Sequence, residues 1–129
     1  MVLLDDVIEV SPDRCVAGWT VTAESPWVEE GRLLRAAFVE IAAQTAALGA
    51  SCDAGGGPSG AAPRQGFLGG ISDFRVHGDA RVGDVLRSTT QRVTSFGSLI
   101  RVACRIERVA GGAATLLAEG GLTVALAPG

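Results

Sequence analysis

The chain contains no lysine, no tyrosine and no asparagine. All eleven of its basic residues are arginine. Without a lysine amine there is no Schiff-base chemistry and no Walker-type phosphate loop, so "GGGPSG" at 55–60 reads as a flexible loop and not a nucleotide cradle. A single histidine, His77, excludes a histidine-rich metal centre and the H-E-x-x-H pattern, and no metal site is expected. The three cysteines, Cys15, Cys52 and Cys104, stand far apart and form no C-x-x-C pair. Their odd number fits packed thiols in a reducing compartment. No apolar run reaches the ~18 uncharged residues of a membrane span. The opening "MVLLDDVIEV" is acidic where an export signal is basic, so a cytoplasmic protein is expected. The net charge of −3 offers no electrostatic footprint for nucleic acid.

What remains is apolar and glycine-rich. Apolar residues make up 47% of the 129, enough for the core of one domain covering residues 1–129. "LLDDVIEV" (3–10) and "CVAGWTVTA" (15–23) read as strands joined by the turn "SPDR". Ser25-Pro26 starts a turn, with the serine as cap and proline first. Glu29 and Glu30 suit a helix N-terminus, where the dipole is positive. The helix is expected from about Arg32 to Leu48, with Leu33, Leu34, Ala37, Phe38, Ile41, Thr45 and Leu48 covering most of its circumference. A flexible Gly-rich loop follows at about 50–65.

Four strands fill the rest: 65–76, 84–96, 99–109 and 114–127. In the third, Ile100, Val102, Cys104 and Ile106 share one face and Arg101, Arg105 and Glu107 the other. In the fourth, Leu116, Ala118, Leu122, Val124 and Leu126 point to one side. Gly97 and Gly111-Gly112 mark hairpin turns, and Gly69-Gly70 marks a bulge or a close backbone approach. The class is α+β: an antiparallel sheet of about six strands with one long helix against it.

One stripe of that helix carries its chemistry. Residues three and four apart share a face, so Ala36, Glu40, Gln44 and Ala47 stack. Either this is the wet edge of an otherwise greasy helix, or the alanines leave room for a ligand that the carboxylate faces. A carboxyl group among apolar neighbours suits acid–base work.

"FVEIAAQTAALGA" resembles the central helix of the hot-dog 3-hydroxyacyl-acyl-carrier-protein dehydratases, with its Glu-x-x-Ala-Gln pattern. "LLDDVIEVSPDR" resembles that family's first strand and turn. "ESPWV" stands where the family has Asn/Glu-Pro-Phe-Phe, and "GFLGGISDFRVHGDARVGDVLR" resembles its Phe-Leu-x-Gly-Ile strand and Pro-Gly-Asp turn. "AEGGLTVALAP" matches its last strand. The resemblance covers nearly the whole chain. It implies a hot-dog fold, a sheet wrapped round one helix and normally dimeric. It also implies a substrate carried on the phosphopantetheine arm of acyl carrier protein, with no other cofactor. By motif Glu40 is the catalytic residue. Gln44, Gly31, Ala36, Phe67, Gly69 and Gly70 are candidate substrate-binding positions. Backbone N–H groups near Gly31, read as the helix start, or at Gly69-Gly70 are candidate donors to the thioester oxygen.

The resemblance breaks at one place. The family's catalytic histidine lies in a Gly-His-Phe-Pro-Gly segment between the proline-aromatic stretch and the helix. Here the run from Pro26 to Glu40 is too short to hold it. His77 falls in "FRVHGD", a strand end, and does not take its place. In the dimeric dehydratases each site takes its histidine from one protomer and its carboxylate from the other. The chain is similar to the histidine-less homologues of aryl-polyene and highly reducing type II polyketide pathways. This implies a homodimer, or a heterodimer with a histidine-bearing paralogue that completes the site. Two other readings stay open: a hot-dog acyl thioesterase using Glu40, and a non-catalytic carrier-binding subunit in which Arg64, Arg75, Arg81 and Arg87 form a patch for an acidic partner, although scattered surface arginines are the favoured reading of those four.

Overall fold

The computed structural model describes residues 6–11, 13–53 and 66–126. Its elements run β1 (Asp6–Val10), β2 (Arg14–Thr20), β3 (Val28–Glu29), β4 (Arg32–Leu33), α1 (Arg35–Asp53), β5 (Gly66–Val76), β6 (Val85–Phe96), β7 (Leu99–Ala110) and β8 (Ala113–Leu126). Six strands form one antiparallel sheet in the order β1-β2-β6-β7-β8-β5, and α1 packs on one face of it. This is the arrangement the helix motif implied.

Alternation sets the sheet's two faces. On β7, Ile100, Val102, Cys104 and Ile106 are buried while Arg101, Ala103 and Arg105 are exposed. The inner face receives Ala37, Phe38, Ile41, Ala42, Thr45 and Ala46 of α1, all essentially sealed from solvent. Phe38 and Ile41 join Leu86, Ile106, Leu122 and Val124 in one core. Each large side chain buried this completely contributes roughly 1.5–3 kcal/mol. The tight turns at Gly97 and Gly111-Gly112 close the β6–β7 and β7–β8 hairpins.

Gly120 on β8 is required by close approach. A Cβ there would stand 2.6 Å from the Cα of Phe74 on β5. The cause is a bulge in β5 between Ser72 and Arg75, with Asp73 at φ 51°.

Three expectations need correction. The helix begins at Arg35 and continues to Asp53, past Gly49. Residues before it form the β3–β4 hairpin, whose turn residues Glu30 and Gly31 both have positive φ, 53° and 76°. Interstrand bonds hold this hairpin to the loop after β5. Leu33 N–H donates to Ala80 O at 2.8 Å and Val82 N–H to Gly31 O at 3.1 Å. Glu29 and Glu30 are therefore exposed hairpin residues and not first-turn acids. The fourth strand slips at Leu117, between the pairs Ile106–Ala118 and Glu107–Leu116, so Leu117 and not Leu116 enters the core. Of the expected loop at 50–65, residues 50–53 continue α1 and 54–65 lie outside the described residues.

Candidate active site

α1 turns its stripe of Ala36, Glu40, Gln44 and Ala47 away from the sheet. Glu40, Gln44 and Ala47 are half-buried, and Ala36 is exposed. The Gln44 side-chain amide donates to Glu40 Oε1 at 3.2 Å, one turn along the helix. That bond occupies one carboxylate oxygen and steadies the group. Glu40 is thus neither sealed in the core nor fully out in bulk water.

β5, which carries the glycine pair, is an edge strand bonded only to β8 in this sheet. Its register slips between Leu68 and Gly70, so the bulge read from Gly69-Gly70 is present. A Cβ on Gly69 would meet Thr123 O at 3.4 Å. Phe67 pairs with Ala125, and its side chain lies outside those described. Ile71 sits opposite the fully buried Leu122 yet is 51% exposed, because among the described residues no strand covers the outer edge of β5. Sequence reasoning passed over Ile71; a bare apolar residue beside the glycine pair is the signal that was available.

Gly31 is not at the helix start. It is the second turn residue of the β3–β4 hairpin, and its carbonyl is bonded to Val82. The hairpin stands where the dehydratase pattern carries its histidine segment. Leu34 N–H bonds back to Trp27 O at 2.7 Å, closing the hairpin's base directly onto the helix. The chain therefore leaves Trp27, makes the hairpin and returns beside Trp27 before α1 starts at Arg35.

His77 is placed elsewhere. It follows β5, and its Nε2 lies 2.8 Å from Glu119 Oε2, both side chains being roughly half exposed. Glu119 pairs in register with Arg105 and Arg75 on the outer face of the sheet, the face turned away from α1. The sheet separates His77 from the Glu40 stripe.

Three cavities lie on that same outer face. The largest, about 460 Å³, is lined by Ser72, Asp73, Arg75, Arg101 and Glu119 among others. None of the three is lined by Glu40 or Gln44. The arginines named from sequence do not gather there as one patch. Arg75 and Arg87 lie on the outer face, three strands apart, while Arg81 bridges to Arg32 beside the β3–β4 hairpin. Arg64 lies outside the described residues. Arg87 and Arg105 both approach Glu107, at 3.8 and 3.7 Å, and Arg14 approaches Glu9 at 3.8 Å. Glu107 is half-buried between its two arginines, whereas Arg14–Glu9 is exposed on both sides, and an exposed pair is worth little. Among the described residues no group of acidic, histidine or cysteine side chains could hold a metal, and no helix is long and apolar enough to cross a membrane.

The family model for ApeP-like proteins, described as ApeP dehydratase, matches residues 1–128. The chain belongs to the ApeP-like dehydratase family. Solved structures carry the same fold. The dehydratase heterocomplex ApeI:P from Xenorhabdus doucetiae aligns with TM-score 0.81 and 21% identity, covering 98% of this chain and 84% of that one. AziG from S. sahachiroi aligns with TM-score 0.72 and 22% identity, covering 94% of this chain and 89% of that one. A hypothetical thioesterase with coenzyme A from Streptococcus pneumoniae TIGR4 aligns with TM-score 0.76 and 12% identity, covering 95% and 84%. At these identities the likeness establishes the hot-dog fold. No curated protein matches the chain. The one histidine of this ApeP-like chain lies across the sheet from its helix carboxylate.

Proposed function

We propose that this ApeP-like chain is the carboxylate-bearing subunit of a dehydratase acting on 3-hydroxyacyl thioesters carried by acyl carrier protein. One observation carries the reading. Glu40 stands half-buried on the outward stripe of α1, held by Gln44, while His77 lies on the far face of the sheet. The histidine comes from a partner subunit. The related ApeI:P dehydratase is itself a heterocomplex, which supports this division between chains. We read the whole chain as one domain. Cys15 and Cys104 are buried and form no disulfide, which fits a reducing compartment, and we assign the protein's action to the cytoplasm.

The chemistry then divides between two chains. The partner's histidine removes the α-proton, and that electron pair forms the new Cα–Cβ double bond. The Cβ–O bond breaks, and the hydroxyl leaves as water with the proton given by the Glu40 carboxyl. Charge that develops on the thioester oxygen needs donors, and the backbone around Gly69 and Gly70 on the open edge of β5 is the proposed source. Ala36, Gln44 and Phe67 are proposed to flank the acyl group. Gly31 keeps no role as a helix-start donor. The open edge of β5 and its bare Ile71 are the proposed continuation of the sheet into the partner.

The test is reconstitution of the wild-type chain with a histidine-bearing paralogue and a 3-hydroxyacyl carrier substrate. Turnover to the unsaturated thioester is expected only from the mixed species. General acid–base groups typically contribute about 10²–10⁴-fold, and Glu40→Gln is expected to lose that much. Equal turnover by wild type and Glu40→Gln would remove Glu40 from the mechanism. Release of free thiol by the chain alone, lost in Glu40→Ala, would make it a thioesterase instead.

A further inference from the structure

Phe38 and Ile41 tell α1 which side faces the sheet, but the rest of its apolar surface is small. Ala36, Ala37, Ala42, Ala43, Ala46 and Ala47 are spread round its axis, so a modest roll exchanges one alanine for another at the sheet. Yet the site requires one orientation, because Glu40 must point away from the core. The underside of the helix holds a polar pair that supplies it. Thr45, at the middle of the buried arc, is 0% exposed, and Ser88 on β6 is 1% exposed. Their hydroxyl oxygens are 2.9 Å apart, and Thr45 Oγ1 is 2.8 Å from Ile41 O. Thr45 donates to that carbonyl, and Ser88 donates to Thr45. Ser88 lies between Ala17 and Ile106 in the sheet, with Leu86 and the buried Thr90 on either side of it along β6.

A buried hydroxyl separated from its partner is left without the water it gave up, so each roll of the helix that parts this pair is penalised. Phe38 and Ile41 select the inward side, and the alanines flanking them discriminate weakly among small rolls; the hydroxyl pair narrows that choice. Buried polar groups that fix register are the best-attested use of such pairs. Five residues separate Glu40 from Thr45, which is about 140° round the helix. Fixing Thr45 against the sheet therefore fixes Glu40 on the opposite side.

We propose that Thr45 and Ser88 are positioning residues that set the roll of α1 and thereby the aim of Glu40. The catalytic consequence rests on the role of Glu40 proposed above; the geometric claim does not. Two readouts on the full chain separate them. With Cys52→Ser as background, Glu40→Cys serves as a thiol-labelling reporter of the stripe, since Cys15 and Cys104 are buried. Adding Thr45→Val is expected to shift the labelling rate or split it into two phases, and Thr45→Ser to restore the single wild-type phase. In the mixed dimer with native Glu40, Thr45→Val is expected to lower kcat about tenfold with KM unchanged, as misaimed groups do. Thr45→Ser should recover the loss.

Thr45→Val/Ser88→Ala removes both hydroxyls and orphans neither, so it keeps the test open where Thr45→Val alone does not fold. It is expected to label in two phases despite being folded. One wild-type phase and wild-type kcat in both variants, whatever their melting temperatures, would reduce the pair to ordinary core packing and overturn the proposal. If instead Glu40→Gln retains full turnover, the dehydratase reading falls while the labelling result still decides the roll.

Discussion

Toward the sheet, α1 presents Ala37, Phe38, Ile41, Ala42, Thr45 and Ala46, none more than 2% exposed. Away from it, the same helix presents Ala36, Glu40, Gln44 and Ala47, exposed or half-buried and with one hydrogen bond between the polar pair. Alanine is common to both sides. They differ in what their residues answer to: the inward side is fixed by packing, and the outward stripe is proposed to answer to a ligand and a partner subunit. Stability and activity should therefore separate cleanly between them.

The largest stability effect is expected on the inward side. Phe38→Ala should cost about 3–5 kcal/mol by urea denaturation, as deletion of a sealed aromatic does. A cost under about 1 kcal/mol would mean that the underside is not the core. Next comes the sheet that receives the helix. Gly120→Ala forces a Cβ to 2.6 Å from Phe74 Cα, and should cost about 1–3 kcal/mol in the same experiment.

Cys104, on the same inner row, gives a pH signature. Burial disfavours its thiolate and pushes the thiol up from 9.0 to about 11. Below pH 9 folded and unfolded chains both keep the proton. Above it the unfolded chain loses the proton first, so stability drains away between pH 9 and about 11. The chain has no lysine or tyrosine to titrate in that window. Melting temperature followed across it should fall less steeply in Cys104→Ala; identical slopes would contradict the assignment. The smallest effect belongs to the outer face. His77→Ala removes an exposed side-chain contact with Glu119 and should change stability by less than about 1 kcal/mol. It should leave mixed-dimer turnover intact. A large loss of turnover would make His77 part of the chemistry and erase the distinction between the faces.

The long strands were legible because alternation over ten or more residues is a strong signal, and glycines marked their ends: β5 to β8 begin and end within a residue of expectation. The β3–β4 hairpin was not legible. Strands of two residues have no period, and Glu29-Glu30-Gly31 looks like the acidic start of a helix until the positive φ of Glu30 is known. The slip at Leu117 was hidden for a similar reason, since Leu116 and Leu117 serve an alternating pattern equally well. The stripe of Glu40 and Gln44 was readable from helical spacing alone. The Thr45–Ser88 contact was not, because it joins residues 43 apart whose meeting depends on how helix and sheet dock. Alternation gives the face of each arginine within its own strand, but not which strands stand side by side, so the distance between Arg75 on β5 and Arg87 on β6 could not be read from the sequence.

The most direct measurement is dehydration by the wild-type chain and by Glu40→Gln, each reconstituted with a histidine-bearing paralogue on a 3-hydroxyacyl carrier substrate. The account requires the two to have matching melting temperatures, with turnover lower by about 10²–10⁴-fold in Glu40→Gln. Equal turnover in the two preparations would contradict it.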